Sequence, residues 1–244
     1  VSGATYAPVN VRSPDARLDM ILDQFLPDLV VSSSGLNTNL PILKPDITAR
    51  CNEFTIAPSL ASSYVIFTSG STGVPKGVEI TRPAHARYVK KFIKYSGIIP
   101  EDRVSQHPAI SFDASVSDIY GALTSGATLI PFGSNVDKMF PARKIKSAMI
   151  SVWNSTSSVI DLMENSGELE PDSMPDLVVF NSCGEALLPR HVLALKKAAP
   201  NVQIYNTYGP TETTVAITYS SINNDDLICI KHPSLPLGDT AAGT

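Results

Sequence analysis

Residues Thr68 to Gly77 read TSGSTGVPKG, a hydroxyl- and glycine-rich stretch with one lysine that follows the apolar run Tyr64, Val65, Ile66, Phe67. Gly70, Gly73 and Gly77 allow backbone angles and close approaches barred to other residues, and Thr68, Ser69, Ser71 and Thr72 supply hydroxyl donors. Lys76 adds a positive charge on a long stem, and Pro75 stiffens the chain beside it. Backbone N–H groups, hydroxyls and an ammonium are what anionic oxygens require, so phosphate binding is the chemistry this stretch can do. The lysine stands between Pro75 and Gly77, whereas a Walker loop ends in Gly-Lys-Ser/Thr, so a different nucleotide fold is indicated. The same composition also suits a plain solvent loop. The flanks argue otherwise: an apolar strand runs into the glycines and an amphipathic segment follows from Thr81 to Tyr95, giving an expected order of strand, loop and helix.

Tyr205 to Thr214, reading YNTYGPTETT, complements the first stretch. Tyr208 offers a flat face for a purine, Asn206 an amide that both donates to and accepts from base edges, and Thr211 a hydroxyl for a phosphate. Glu212 offers a hard carboxylate. One such group beside phosphate oxygens is enough for Mg²⁺, which keeps several of its waters. Taken alone, Gly209-Pro210 is a turn and Glu212 a solvated charge; it is the pairing with the first stretch that gives them meaning.

The elements that must position these loops alternate strand-like and helix-like. Asp15 to Leu26 carries Leu18, Ile21, Leu22 and Phe25 at helical spacing, and Leu29 to Val31 follows as a short strand. Residues 32–58 read as loop. Then come Val104 to His107 with the helix Val116 to Leu123, Thr128 to Pro131 with Ala142 to Ser147, and Met149 to Trp153 with Thr156 to Glu164. Leu177 to Phe180 precedes the helix Pro189 to Ala199, whose proline suits a first turn, and Val202 to Tyr205 leads into the second loop. This is an α/β pattern: mostly parallel sheet flanked by helices, with loops at the strands' carboxyl ends converging on one crevice.

The chain has 244 residues, 43% hydrophobic and 17% charged, enough apolar material for a core and no bias toward disorder. A net charge of −4 does not suit a nucleic-acid surface, and the lysines 90, 91 and 94 sit at the spacing of a solvated helix face. Cys51, Cys183 and Cys229 are scattered and odd in number, as expected of a reducing compartment. His85, His107, His191 and His232 form no metal motif. With no signal-like amino terminus and no apolar run of spanning length, a cytoplasmic location without membrane contact is expected.

Both motifs, TSGSTGVPKG and NTYGPTE, resemble those of the adenylation domains of the adenylate-forming superfamily, most closely the amino-acid-activating branch. The similarity continues through Gly3 to Leu22, through SFDAS at Ser111 to Ser115, and through NSCGEAL at Asn181 to Leu187, and so spans nearly the whole chain. It implies that ATP is bound by Thr68, Ser69, Gly70, Ser71, Thr72, Gly73 and Lys76 at the β- and γ-phosphates. Gly184, Glu185, Asn206, Thr207, Tyr208, Gly209 and Thr211 would hold adenine and α-phosphate, and Glu212 would hold Mg²⁺. Lys76, Thr211 and Glu212 are the implied catalytic groups. The reaction implied is attack of a carboxylate on the ATP α-phosphorus, giving an acyl adenylate and pyrophosphate. Transfer to a phosphopantetheine thiol on a peptidyl carrier protein follows, as in nonribosomal peptide synthetases and D-alanine carrier-protein ligases.

The aspartate matching Asp113 pairs with the α-ammonium in the amino-acid branch, which fatty- and aryl-acid ligases do not need. From spacing alone Asp113 is equally a helix cap for the segment starting near Ser115. By the same resemblance Asp113, Ala114, Ser117, Asn154, Asn181, Cys183, Thr207, Val215 and Ala216 line the amino-acid pocket. The set is polar enough to suggest a polar or modified side chain. If Asn181 and Cys183 only pack beneath the Gly184 turn, a small substrate such as alanine fits instead. The family's ribose-binding Gly-Asp motif and the lysine-bearing lid are not found. Asp239 follows a Pro-Leu-Gly turn that the family has earlier. Residues 1–244 thus read as part of an amino-terminal core subdomain lacking its carboxy-terminal lid, with little activity expected of them alone.

Overall fold

The computed structural model describes residues 3–10, 12–33, 38–45, 61–70, 73–223, 227 and 233–240, arranged as two compact units, Val1–Pro83 and Ala84–Thr244. Ser71, Thr72, Cys51, Cys229 and His232 lie outside the described residues.

In the first unit, α1 (Asp15–Phe25) buries Leu18 and Ile21 and ends at Leu26 in the left-handed region. Strands β1 (Val30–Val31) and β2 (Ile42–Leu43) pair in parallel, so the stretch read as loop contributes a strand. β3 (Ser62–Ser69) and β4 (Pro75–Thr81) form an antiparallel hairpin. This corrects the expected strand, loop and helix. The glycine-rich stretch folds back on itself, and Thr68 pairs with Lys76 across the hairpin. The reason is the alternation in β4, where Val78 and Ile80 are buried and Glu79 is exposed; period two makes a strand of what a Pro-Lys-Gly opening disguises as loop. The helix α2 (Arg82–Ser96) starts only beyond that strand.

The second unit is built on a sheet of order β11-β10-β9-β8-β7-β5-β6. β5 (Arg103–Gln106), β6 (Thr128–Pro131), β7 (Val152–Ser155), β8 (Val179–Cys183) and β9 (Gln203–Tyr208) are mutually parallel. β10 (Thr218–Ile222) and β11 (Asp239–Thr240) complete the edge antiparallel, a hairpin-like addition that no local pattern announces. The helices are α3 (Ser115–Ser125), α4 (Asn135–Met139), α5 (Pro141–Ser147), α6 (Ser157–Asn165) and α7 (Pro189–Ala198). α4, unforeseen in the sequence, is closed by a capping box between Ser134 and Asp137.

Pairing register assigns the two faces of this sheet. Trp153, Phe180 and Ile204 are neighbours on one face and join Ile145, Ile160, Met163, Leu187, Val192 and Leu195 in the main hydrophobic core. Burying each such side chain contributes roughly 1.5–3 kcal/mol. Asn154, Asn181 and Tyr205 are in register on the opposite face, with Cys183 and Thr207 two positions further along. α3 and α2 meet this polar face through side-chain bonds described below. They approach each other closely at Gly121, where a Cβ would come within 2.7 Å of the buried Phe92 ring.

Chain order reverses at β5. One neighbour, β6, follows it directly, and the other, β7, is reached after returning past it. Such a reversal opens a crevice at the strands' carboxyl ends, where α/β sheets bind ligands. The segment leaving β5 there carries Asp113, and Asn154 stands near the carboxyl end of β7.

Candidate active site

The loop after β5 is pinned by a buried polar network. His107 Nδ1 lies 3.0 Å from Ser155 Oγ and accepts from Trp153 Nε1 at 3.4 Å, while Nε2 lies 3.3 Å from the Lys138 carbonyl. A carbonyl only accepts, so Nε2 carries the proton and Nδ1 is the acceptor, a neutral imidazole. Burial lowers the His107 pKa and favours that form. Asp118, fully buried on α3, accepts the His107 backbone N–H at 3.2 Å and the Asn154 side-chain amide. Burial pushes the Asp118 carboxyl well above its ordinary range, partly offset by those two donors.

Asp113 does not cap α3. That helix begins at Ser115 with Ala114 as its N-cap and no side-chain cap bond. The Asp113 carboxyl is instead bonded to the Thr211 hydroxyl and to the backbone N–H groups of Ala114 and Asp113 itself. Burial raises its pKa above the usual carboxylate range, and the neighbouring Glu212 raises it further. A half-buried carboxylate held beside another carboxylate is set up to receive a cation. The structure therefore brings Asp113, Thr211 and Glu212 together, from segments about a hundred positions apart in the chain.

Thr211 and Glu212 sit on a 3-10 turn, Thr211–Thr213. Gly209 is required there: a Cβ would lie 2.6 Å from Ala216 Cα and 2.8 Å from the Val215 carbonyl, so the backbone folds directly onto itself. Thr214 and Val215 follow with φ of 63° and 67°, left-handed angles that cost a β-branched residue roughly 1–3 kcal/mol. Val215 and Ala216 are buried by this fold-back.

Of the other implied pocket residues, Asn154, Asn181, Cys183 and Thr207 are on the polar sheet face and Ser117 is on α3, and several of their hydrogen-bonding groups have protein partners. The Ser117 hydroxyl is 2.7 Å from Tyr88 OH, Tyr95 OH donates to Asn181 Oδ1 at 3.3 Å, and Thr207 Oγ1 donates to the Ser182 carbonyl at 2.9 Å. Burial raises the Cys183 thiol pKa, which keeps it protonated. Asn154 Oδ1 alone in this set is a buried acceptor without a partner among the described residues.

Asn206 and Tyr208 occupy the alternate positions of β9 and so face away from Thr207. Asn206 Nδ2 donates to the carbonyls of Leu235 and Pro236 at 3.3 and 2.9 Å, and its buried Oδ1 has no partner among the described residues. The donor half of the amide is thus spent within the protein; what remains is an acceptor, suited to the exocyclic amino group of a purine. Tyr208 is 51% exposed, a ring open to stacking. Gly184 ends β8 with φ 95°, and Glu185 beside it accepts the Ser158 N–H at 2.9 Å, capping α6. Glu212 is an exposed carboxylate. Among the described residues no group of three metal-ligating side chains exists, so Mg²⁺ would take one carboxylate and complete its shell from phosphate and water.

In the first unit the described part of the hydroxyl-rich stretch forms the hairpin end. Gly73 N–H donates to the Gly70 carbonyl at 3.0 Å, and Thr68 Oγ1 to the Lys76 carbonyl at 3.4 Å. Ser69 and Lys76 are exposed there.

Sequence reasoning missed Tyr88, Tyr95 and Asp118. The tyrosines are seven apart, hence on one face of α2, opposite its exposed lysines; that spacing was a usable signal. A crevice of about 780 Å³ runs between α2 and the segment from Glu212 to Tyr219, lined by Tyr88, Lys91, Tyr95, Glu212 and Ala216 among others. Lys91 lies over the Tyr219 ring at 4.9 Å and donates to the Ile217 carbonyl at 3.3 Å.

The sequence model of the AMP-binding enzyme family matches residues 2–241. A D-alanine--D-alanyl carrier protein ligase of Lactiplantibacillus plantarum is 34% identical over the full chain, which covers 50% of that protein. Among solved structures, IdnL7 is 26% identical with a TM-score of 0.86, over 98% of this chain and 53% of its own. The Vibrio cholerae adenylation domain AlmE, solved with glycyl-adenosine-5'-phosphate, is 25% identical with a TM-score of 0.82, over 98% of this chain and 51% of its own. The chain spans about half the length of the curated relatives it matches. No described helix is long and apolar enough to cross a membrane.

Proposed function

Because the chain belongs to the AMP-binding enzyme family, we propose that it carries the nucleotide and amino-acid sites of an adenylate-forming ligase that activates an amino acid for loading onto a phosphopantetheinyl carrier protein. The observation supporting this most directly is Asp113, half-buried, bonded to Thr211 and beside Glu212, with no cationic group among the described residues acting on its charge. An α-ammonium group supplies that cation; a fatty or aryl acid has none. The names of the relatives point the same way, since D-alanine and glycine both carry the amine.

In this reading Asn206 Oδ1 accepts from the purine amino group, Tyr208 stacks on its ring, and Gly184 and Glu185 bound it. Asp113 orients the substrate so that its carboxylate faces the α-phosphate, beside Thr211. Lys76 and the hydroxyls of Thr68, Ser69, Ser71 and Thr72 hold the β- and γ-phosphates. Mg²⁺ at Glu212, when bound, offsets the repulsion between triphosphate and carboxylate. Catalysis is then positioning and charge stabilisation, with no protein nucleophile. Both small substrates in the names of the relatives favour a small side chain over the polar one suggested by the residue types.

The test is amino-acid-dependent exchange of pyrophosphate into ATP by the longest natural protein carrying this chain, across amino acids, fatty acids and aryl acids. Exchange driven by an amino acid, Mg²⁺-dependent and lost in Glu212→Ala, is the expected result. Exchange driven only by acids lacking an amine would reject the reading.

A further inference from the structure

Partners on two helices fix the orientation of two amides on the polar sheet face. Asn154 and Asn181 are register partners on the adjacent parallel strands β7 and β8, so they stand about 5 Å apart on one face. Asp118 of α3 takes the Asn154 amide nitrogen, which turns Oδ1 the other way; that oxygen is buried and has no partner among the described residues. Tyr95 of α2 donates its hydroxyl proton to Asn181 Oδ1 at 3.3 Å, and among the described residues no bond occupies the Asn181 Nδ2 donors. Burial raises the Tyr95 pKa well above its ordinary value, so the phenol keeps the proton with which it holds that orientation. The pair offers one idle acceptor and one idle donor side by side. A buried polar group without a partner is costly, so a substrate group that pairs with both is favoured over one that pairs with neither.

We propose that the amino-acid pocket selects short side chains ending in a hydroxyl, with Asn154 Oδ1 accepting the hydroxyl proton and Asn181 Nδ2 donating to its oxygen. This rests on the amino-acid-activating function above and names the substrate class of that same site. The placement follows from Asp113. Its charge acts on the Cys183 thiol, and Asn181 precedes Cys183 by two residues on the same face of β8, about 7 Å along the strand. An ammonium at Asp113, an α-carbon and one further carbon ending in oxygen cover that span. The floor is tight: Asn154 and Asn181 are each 3% exposed and Ser117 2%. Ser117 closes it from α3, with its hydroxyl 2.7 Å from that of Tyr88. Such a floor suits a single hydroxyl better than a carboxamide or a longer chain. Small size is kept, since serine is alanine with one hydroxyl added. Asp118 and Tyr95 are positioning residues here: they act on the substrate only through the two amides they orient.

The test is pyrophosphate exchange by the longest natural protein carrying this chain, with four amino acids as both enantiomers. Serine carries the hydroxyl, 2-aminobutyrate a methyl group in its place, O-methylserine the oxygen without the proton, and asparagine a carboxamide. Serine is expected to exceed 2-aminobutyrate and O-methylserine by at least about tenfold in kcat/KM, and to exceed asparagine. Asn154→Leu and Asn181→Leu should each lower the ratio of serine to 2-aminobutyrate by about tenfold, through the KM for the amino acid and not that for ATP. A merely structural role would lower both substrates together and leave the ratio where it was. Tyr95→Phe, which releases Asn181, should lower the ratio in the same direction. Should the leucine variants be unfolded in thermal melts, the wild-type series decides alone. Either serine analogue within about twofold of serine, asparagine preferred to serine, or a ratio unmoved in the folded leucine variants overturns the proposal. Exchange with plain carboxylic acids and with no amino acid overturns the function it rests on, a distinct outcome visible in the wild type alone.

Discussion

Replacing Asp113 with asparagine separates a functional carboxylate from a structural one by giving opposite signs for stability and activity. The Asp113 carboxyl accepts from Thr211 and from two backbone N–H groups, but burial and Glu212 both disfavour its charge. Its native pKa is therefore raised above the unfolded value. For an acid this means that the ionised group costs stability at pH above the raised pKa, and that the cost disappears as pH falls through it. Asp113→Asn keeps an acceptor for Thr211 and loses the charge, so at pH 7–8 the variant should melt at or above the parent temperature, with the difference shrinking toward pH 4. Activity should move the other way. Losing one partner of a desolvated charge pair costs roughly 2–5 kcal/mol, and half-burial places Asp113 at the low end, about 2–3 kcal/mol. That is a factor of about 30 to 150 in kcat/KM for the amino acid. The assay compares alanine with propionate, its deaminated counterpart, in pyrophosphate exchange; the preference for alanine should collapse in the variant. In the wild type the KM for alanine should rise as pH falls through the raised pKa of Asp113, since binding the ammonium needs the ionised form. A variant that melts well below the parent at neutral pH, or that loses alanine and propionate in equal proportion, would refute the argument.

Asp118→Ala should lower stability by about 2–4 kcal/mol in urea denaturation, because the His107 N–H and the Asn154 amide lose a buried acceptor together; Asp118→Asn, which retains one acceptor oxygen, should cost less. Gly209→Ala forces a Cβ to within 2.6 Å of the Ala216 backbone, so it should cost about 2 kcal/mol or more and abolish exchange while far-ultraviolet circular dichroism stays near that of the parent.

Much of this protein was legible along the chain. The strand at Thr128–Pro131 and helices at Asp15 and Pro189 appear where hydrophobic period and punctuation put them, because each needs only local information. The hairpin was not, since Pro75-Lys76-Gly77 reads as loop until β3 pairs with it. The edge strands β10 and β11 were also missed, as their partners are set by long-range pairing. At the site, residue type singled out Asn206, Tyr208, Thr211 and Glu212 as able to meet a nucleotide, whereas spacing alone read Asp113 equally as a helix cap and only the family resemblance gave it a substrate role.

What the sequence determined by itself was chemistry: which groups could grip phosphate, which could hold a metal, and that strands alternate with helices. Tertiary structure alone decided which of those groups are spoken for. Adjacent residues of a strand face opposite ways, so Asn206 and Thr207 were bound to separate, but only packing says which face meets α2 and α3. The polar residues of the pocket looked ready to read a polar substrate. In the folded protein Tyr88, Tyr95 and Asp118, from helices distant in sequence, already hold Ser117, the Asn181 oxygen and the Asn154 nitrogen. A side chain's type fixes what bonds it can make; which partner takes them depends on what the fold brings within 3.5 Å or less.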